Sequence, residues 1–229
     1  MPTYNRAYII KKPLNSLIAQ TFDNFEVIVV DDGSSDNTEE VVKQFEKKLH
    51  LRYIKKENGG KHTALNVGVK NAKGELFLIL DSDDELTPSA LQQMNEMWDS
   101  HENKNEICGV IGRCSTNGKV IGKSFKPKQK LISYVEFHYG KGGGRYGDCC
   151  ECVRTDIINK YHWPETLDTR FVPENYVNDL IGLKYKLIVT DTVFEYKEYQ
   201  ENGITQNYKE YINKNIVGCL YAAVSKIND

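Results

Sequence analysis

Short apolar runs alternate along the first half of the chain with stretches whose apolar residues recur every three or four positions. Val27-Ile28-Val29-Val30 and Leu76-Phe77-Leu78-Ile79-Leu80 lack the in–out alternation of a half-solvated strand, which predicts strands buried on both faces. Leu51 to Ile54 predicts a shorter strand between them. Helical spacing fills the intervals. Pro13 fits the first turn of a helix whose apolar face is Leu14, Leu17 and Ile18. Val41, Val42, Phe45 and Leu49 make the stripe of a second helix, with Asp36 and Glu39 at capping-box spacing. Ala64, Leu65, Gly68 and Val69 follow the break at Gly59-Gly60 and predict a third. Leu91, Met94 and Trp98 predict a fourth, with Thr87 as cap and Pro88 at its first position. This alternation predicts an α/β chain with a mostly parallel, Rossmann-like sheet and right-handed crossovers.

The second half reads differently. Ile107 to Arg113 predicts a strand, and Asn117-Gly118 before Val120-Ile121 is a hairpin signal. Five glycines between Gly140 and Gly147 predict a mobile loop. Thr155-Asp156 starts a short helix, and Pro173 to Lys184 reads as a longer one with Val177, Leu180 and Ile181 apolar. Leu187 to Val189 and Val193 to Tyr196 are strand-like. Tyr208 to Ile227 predicts a closing amphipathic helix using Ile212, Ile216, Val217, Leu220 and Val224. No repeat or linker marks a boundary, so a single domain over residues 1–229 is expected.

Composition sharpens this picture at three points. With 40% hydrophobic and 27% charged residues in 229, the chain can build a core and is not disordered. A net charge of −2 lacks the clustered positive footprint of a nucleic-acid binder. The apolar runs are far too short to cross a membrane, so the expectation is a cytoplasmic protein, with peripheral association at the inner membrane face left open. Cys149 and Cys152 have CxxC spacing, but the second ligand pair of a zinc site is missing. The six cysteines are therefore expected to be reduced thiols packed in or beside strands.

The candidate chemistry lies where the two long apolar runs stop. One ends at Asp31-Asp32-Gly33, the other at Asp81-Ser82-Asp83-Asp84. In open α/β sheets ligands bind outside the carboxyl ends of strands. Carboxylates there suit Mg²⁺ or Mn²⁺ together with a phosphate-bearing partner. The plainer reading of Asp81, Asp83 and Asp84 is a solvated acidic turn, and that of Asp31 and Asp32 a tight turn feeding the Asp36 cap. Lys61, at a helix start after Gly59-Gly60, can favour an anionic diphosphate or simply be exposed. His62 and His138 are expected to be structural.

Several segments, taken in order, resemble glycosyltransferase family 2, the inverting nucleotide-sugar enzymes of GT-A fold. They are Pro2-Thr3-Tyr4-Asn5-Arg6, Gln20-Thr21-Phe22 with Val29 to Asp36, Asn58-Gly59-Gly60-Lys61 with Ala64 to Gly68, and Leu80-Asp81-Ser82-Asp83-Asp84 with Pro88. The resemblance implies a nucleotide-sugar-binding half over residues 1–100 and a smaller acceptor-side β region over 101–229. It puts Thr3, Tyr4, Asp32 and Lys61 at the nucleoside or diphosphate, with Asp31 supporting the turn. Asp81 and Ser82 would face the ribose or sugar, and Asp83, with Asp81, would hold the metal. Pro173-Glu174-Asn175 matches the place of the family's Glu-Asp pair, with Glu174 on the base. A UDP-sugar is the favoured donor, because a carboxylate at Asp32 can accept from uracil N3–H, and a glycan or lipid-linked glycan of the cell surface is the expected acceptor. The Gln/Arg-rich motif of processive synthases is not found, which favours transfer of one sugar per encounter. The alternative is a non-catalytic nucleotide-sugar-binding module. The family also has a central strand before the Pro-Thr-Tyr-Asn segment. The expectation here is a chain without that strand, or one in which another segment takes its place.

Overall fold

The computed structural model describes residues 1–126, 129–140, 146–165, 168–201, 203 and 205–224. The first half runs β1 (Pro2–Thr3), α1 (Lys11–Ile18), β2 (Val27–Asp31), α2 (Thr38–Lys43), β3 (Leu51–Lys55), α3 (Lys61–Asn71), β4 (Leu76–Leu78), β5 (Glu85–Leu86) and α4 (Ala90–Asp99). The second runs β6 (Ile107–Thr116), β7 (Lys119–Val120), β8 (Leu131–Ile132), α5 (Tyr134–Tyr139), β9 (Cys149–Arg154), α6 (Thr155–Ile158), α7 (Asn175–Gly182), β10 (Lys186–Tyr196), α8 (Tyr208–Lys214) and α9 (Ile216–Val224).

The strands form two sheets rather than one. β1, β2 and β3 make a three-stranded parallel sheet, with β2 in the middle and buried on both faces as its unbroken apolar run requires. The other seven strands make a sheet whose main path is β4-β9-β6-β10-β5. Among the described residues its only parallel pair is β6 with β10; the pairings of β4, β5, β7, β8 and β9 are antiparallel. The seven-stranded sheet draws on both halves of the chain, since β4 and β5 come from residues 76–86. An apolar slot separates the sheets, a cavity of about 460 Å³ lined by Val27, Ile28, Leu65, Leu76, Leu78 and Met94 among others. β1 pairs only with the far end of β2, and the ladder stops where the Met1 ammonium donates to Ile28 O at 2.9 Å. No other described segment takes that place.

Most helices lie where the periodicity puts them, but their caps differ. Asp36 does not form a capping box with Glu39; it accepts from the Thr38 and Ala7 amides, and α2 starts after Asn37. Thr87 caps no helix: its hydroxyl donates to Val193 O, and α4 starts three residues on. The two predicted strands at 187–196 are one strand, β10, with register shifts between Val189 and Val193. The closing helix is two, α8 and α9, broken at Asn215. Its apolar positions Ile216, Val217, Leu220 and Val224 are exposed rather than buried. The predicted loop at Gly140 to Gly147 falls largely outside the described residues, and so does the end of the predicted closing helix.

One large core cluster joins α1, β2, α2 and α4 to β6 and β10 through Leu14, Val29, Val42, Trp98, Val110 and Phe194. A second packs α3, α6 and α7 on the other face of β6 and β9. All six cysteines are free thiols. Cys108, Cys114, Cys150 and Cys152 are buried in β6 and β9, and burial is the first cause pushing Cys108 and Cys152 up to about 12.

Candidate active site

Asp31 and Asp32 end β2, and protein donors take up both carboxylates. Asp31 accepts from the Ser34 amide at 2.7 Å and from the Tyr53 hydroxyl. Asp32 Oδ1 accepts from Lys56 Nζ at 2.8 Å and the Gly59 amide at 2.9 Å. Its Oδ2 accepts from the Gly60 amide at 2.7 Å and Asn58 Nδ2 at 3.2 Å. A carboxylate offers about four lone-pair sites, so this set is full. Asp32 therefore braces the Asn58-Gly59-Gly60 turn in this structure. Gly60 is required there: its φ is +98°, and a Cβ would lie 2.1 Å from Arg170 O.

That brace sets the start of α3 and so places Lys61. Arg170 donates to Asn58 O at 2.5 Å, drawing the segment before α7 against the same turn. As a result Lys61 and Glu174, 113 positions apart in sequence, meet. Lys61 Nζ lies 2.5 Å from Asp81 Oδ1 and 2.5 Å from Glu174 Oε1. Glu174 sits at the N-cap of α7 without capping it.

The second acidic end follows β4. Carboxylate oxygens of Asp81, Asp83 and Asp84 lie within 4.8 Å of one another, which is close enough to share a divalent cation. Each carboxylate also faces a protein cation. Asp81 pairs with Lys61 at 2.5 Å, Asp83 with Arg6 at 3.8 Å, and Asp84 with Lys197 at 2.6 Å. The consequences differ. Burial raises the Asp81 carboxyl, but Lys61 and then Lys197 outweigh it and hold it down to about 2. Asp83 goes the other way: burial and the charges of Asp81 and Asp84 push it above the usual carboxylate range. Asp84 is nearly filled by Lys197 and by the Glu198 amide at 3.0 Å. Asp83 has the weakest protein partner and the most to gain from a cation, so the donor set fits a metal held by Asp83 with Asp81.

A small cavity of about 60 Å³ opens beside Asp81 and Glu174 and is lined also by Glu151, Asn178, Glu195 and Lys197. Burial, then Glu174 and Glu195, push Glu151 up to about 8; burial first also raises Glu195, to about 7.

The other expected site residues lie around this cleft. Thr3 is buried, pairs in register with Asp31 and leaves its hydroxyl without a partner, while its carbonyl accepts from the Asp32 amide at 2.9 Å. Tyr4 is exposed, and Ser82 is buried in the acidic turn. His62 is buried on α3, and His138 Nδ1 hydrogen-bonds Asp179 at 2.5 Å. Arg6, Lys56, Asn58, Arg170 and Lys197 escaped the sequence reading. Arg6 and Asn58 sit inside quoted motifs, but the others carried no local signal, because their partners are 24 to 113 residues away.

Residues 1–157 match the model for glycosyl transferase family 2, and the chain belongs to that family. An uncharacterised glycosyltransferase of Rickettsia conorii is 43% identical over 109 residues, which is 47% of this chain and 18% of that protein. The minor teichoic acid biosynthesis protein GgaB of Bacillus subtilis is 33% identical over 94% of this chain and 24% of its own length. The crystal structure of S. aureus TarS 1–349 with UDP-GlcNAc superposes with a TM-score of 0.67 at 27% identity, covering 88% of this chain and 58% of that one. The fold is of the GT-A type these neighbours share. Among the described residues no helix is long and apolar enough to cross a membrane.

Proposed function

We propose that this chain transfers a sugar, with inversion, from a nucleoside diphosphate sugar to a hydroxyl of a glycan or lipid-linked glycan in polysaccharide synthesis. The observation that carries this is the meeting of the candidate base Glu174 with Asp81 of the acidic turn through one ammonium at 2.5 Å on each side. It supports a reading in which donor and acceptor meet in one cleft. Glu174 takes the proton of the acceptor hydroxyl, and the oxygen attacks the anomeric carbon on the face opposite the nucleotide. The bond from that carbon to the diphosphate oxygen breaks, and the electron pair leaves with the diphosphate. Arg6 and Lys61, at 3.8 and 2.5 Å from their carboxylates, are cations that can turn to a diphosphate. A Mg²⁺ or Mn²⁺ held by Asp83 with Asp81 supplies further neutralisation of the leaving charge when bound.

A uridine donor is favoured by the 27% identity with TarS over 88% of this chain, since that neighbour was crystallised with UDP-GlcNAc. GgaB, which aligns over 94% of this chain and is a teichoic acid biosynthesis protein, favours a cell-wall glycan acceptor. The binding-module alternative would be favoured by a Glu174 turned away from the acidic turn; its contact with Lys61 speaks for the enzyme. The test is release of nucleoside diphosphate from a panel of nucleotide sugars with Mn²⁺. Release from a UDP-sugar is expected. No release from any donor would leave only binding.

A further inference from the structure

We infer that Lys61 is a positioning residue for Glu174, holding the candidate base against the donor side of the cleft; this rests on the transfer reading above. A lysine at the first position of a helix has the wrong sign for that end, where amide dipoles already concentrate positive charge. Its placement is therefore explained by its partners and not by α3. The Glu174 side chain has no other ionic or hydrogen-bonding partner among the described residues and is 37% exposed. An acidic side chain free at an exposed helix start samples several rotamers, whereas a base must stay within reach of the hydroxyl it deprotonates. Lys61 supplies a fixed point because its own backbone is fixed. Asp32 binds the Gly59 and Gly60 amides immediately before it, and Arg170 O lies so near Gly60 that no side chain fits between them. The same ammonium reaches Asp81, so one side chain sets the base relative to the acidic turn. A lysine acting only on the diphosphate would need no contact with Glu174.

The experiment is a double-mutant cycle on turnover at saturating donor, with Lys61→Met, Glu174→Gln and the pair. Lys61→Met should lower kcat at least about tenfold more in the wild-type background than in the Glu174→Gln background, the smaller loss being its share in neutralising the diphosphate. Running the cycle in parallel with Lys61→Gln keeps it interpretable if the methionine variant does not fold. Equal losses in both backgrounds would overturn the inference and leave Lys61 acting on the diphosphate alone. Wild-type turnover in Glu174→Gln, or no transfer by the wild type, would instead overturn the base assignment and this inference with it.

Discussion

The two acidic strand-ends look alike in sequence and are held in opposite ways. At the β2 end, Asp32 is locked by two backbone amides, an asparagine and Lys56, all within 3.2 Å. At the β4 end, side-chain cations, Lys61, Arg6 and Lys197, offset the three carboxylates. Backbone donors cannot leave without unmaking the turn, whereas long side chains can exchange their partner for a ligand. In this structure the first end is held by backbone donors and the second by side chains that can change partner. The lesson is that a carboxylate's role follows from what its donors are attached to.

The largest expected effect sharpens this contrast through stability. Asp32→Ala takes the acceptor from the amides of Gly59 and Gly60 and the carboxylate partner from Lys56, and should cost about 2–4 kcal/mol, at about 1–3 kcal/mol for each buried donor left unmet. Asp83→Ala should leave Tm unchanged or higher, because its neighbours already disfavour its charge. Equal losses of Tm at the two positions would break the comparison. Next, Glu174→Gln should lower turnover by about 10² while preserving donor binding, the usual scale for a lost general base. Steady-state kinetics paired with calorimetry separates the two; weaker binding at unchanged turnover would reassign Glu174.

The smallest effect is a pH dependence. Burial, Glu174 and Glu195 raise the folded pKa of Glu151 to about 8 from 4.5. Between those values the unfolded chain has released the proton that the folded chain keeps, so the contribution of Glu151 to stability falls as pH rises through this window. Thermal melts from pH 5 to 8 should show less decline in Glu151→Gln than in the wild type. Identical slopes would mean the carboxyl is better solvated than its setting in the cleft implies.

The sequence revealed the elements and both acidic ends because those signals are local. The unbroken run Val27 to Val30 predicts a strand buried on both faces, and the Asp81-Ser82-Asp83-Asp84 cluster is visible within four positions. What it hid was pairing at a distance. Nothing near Lys197 announces Asp84, 113 residues away, and nothing near Arg170 announces Asn58. The division into two sheets was hidden for a related reason. Alternating strands and helices look the same whether the strands are adjacent or, like β1 and β4, lie on opposite sides of an apolar slot. The exposed stripe on α9 shows the converse limit, since periodicity marks an apolar face but not whether anything packs on it.

The central claim is that Asp83 at the β4 end gives up its Arg6 contact for a metal, and with it a diphosphate. Calorimetric titration of UDP into the protein with and without Mn²⁺ tests it most directly. UDP should bind at least about tenfold more tightly with Mn²⁺, a gain of about 1.4 kcal/mol, and Asp83→Ala should abolish the gain. Equal affinity with and without Mn²⁺, or a gain that survives Asp83→Ala, would contradict the account.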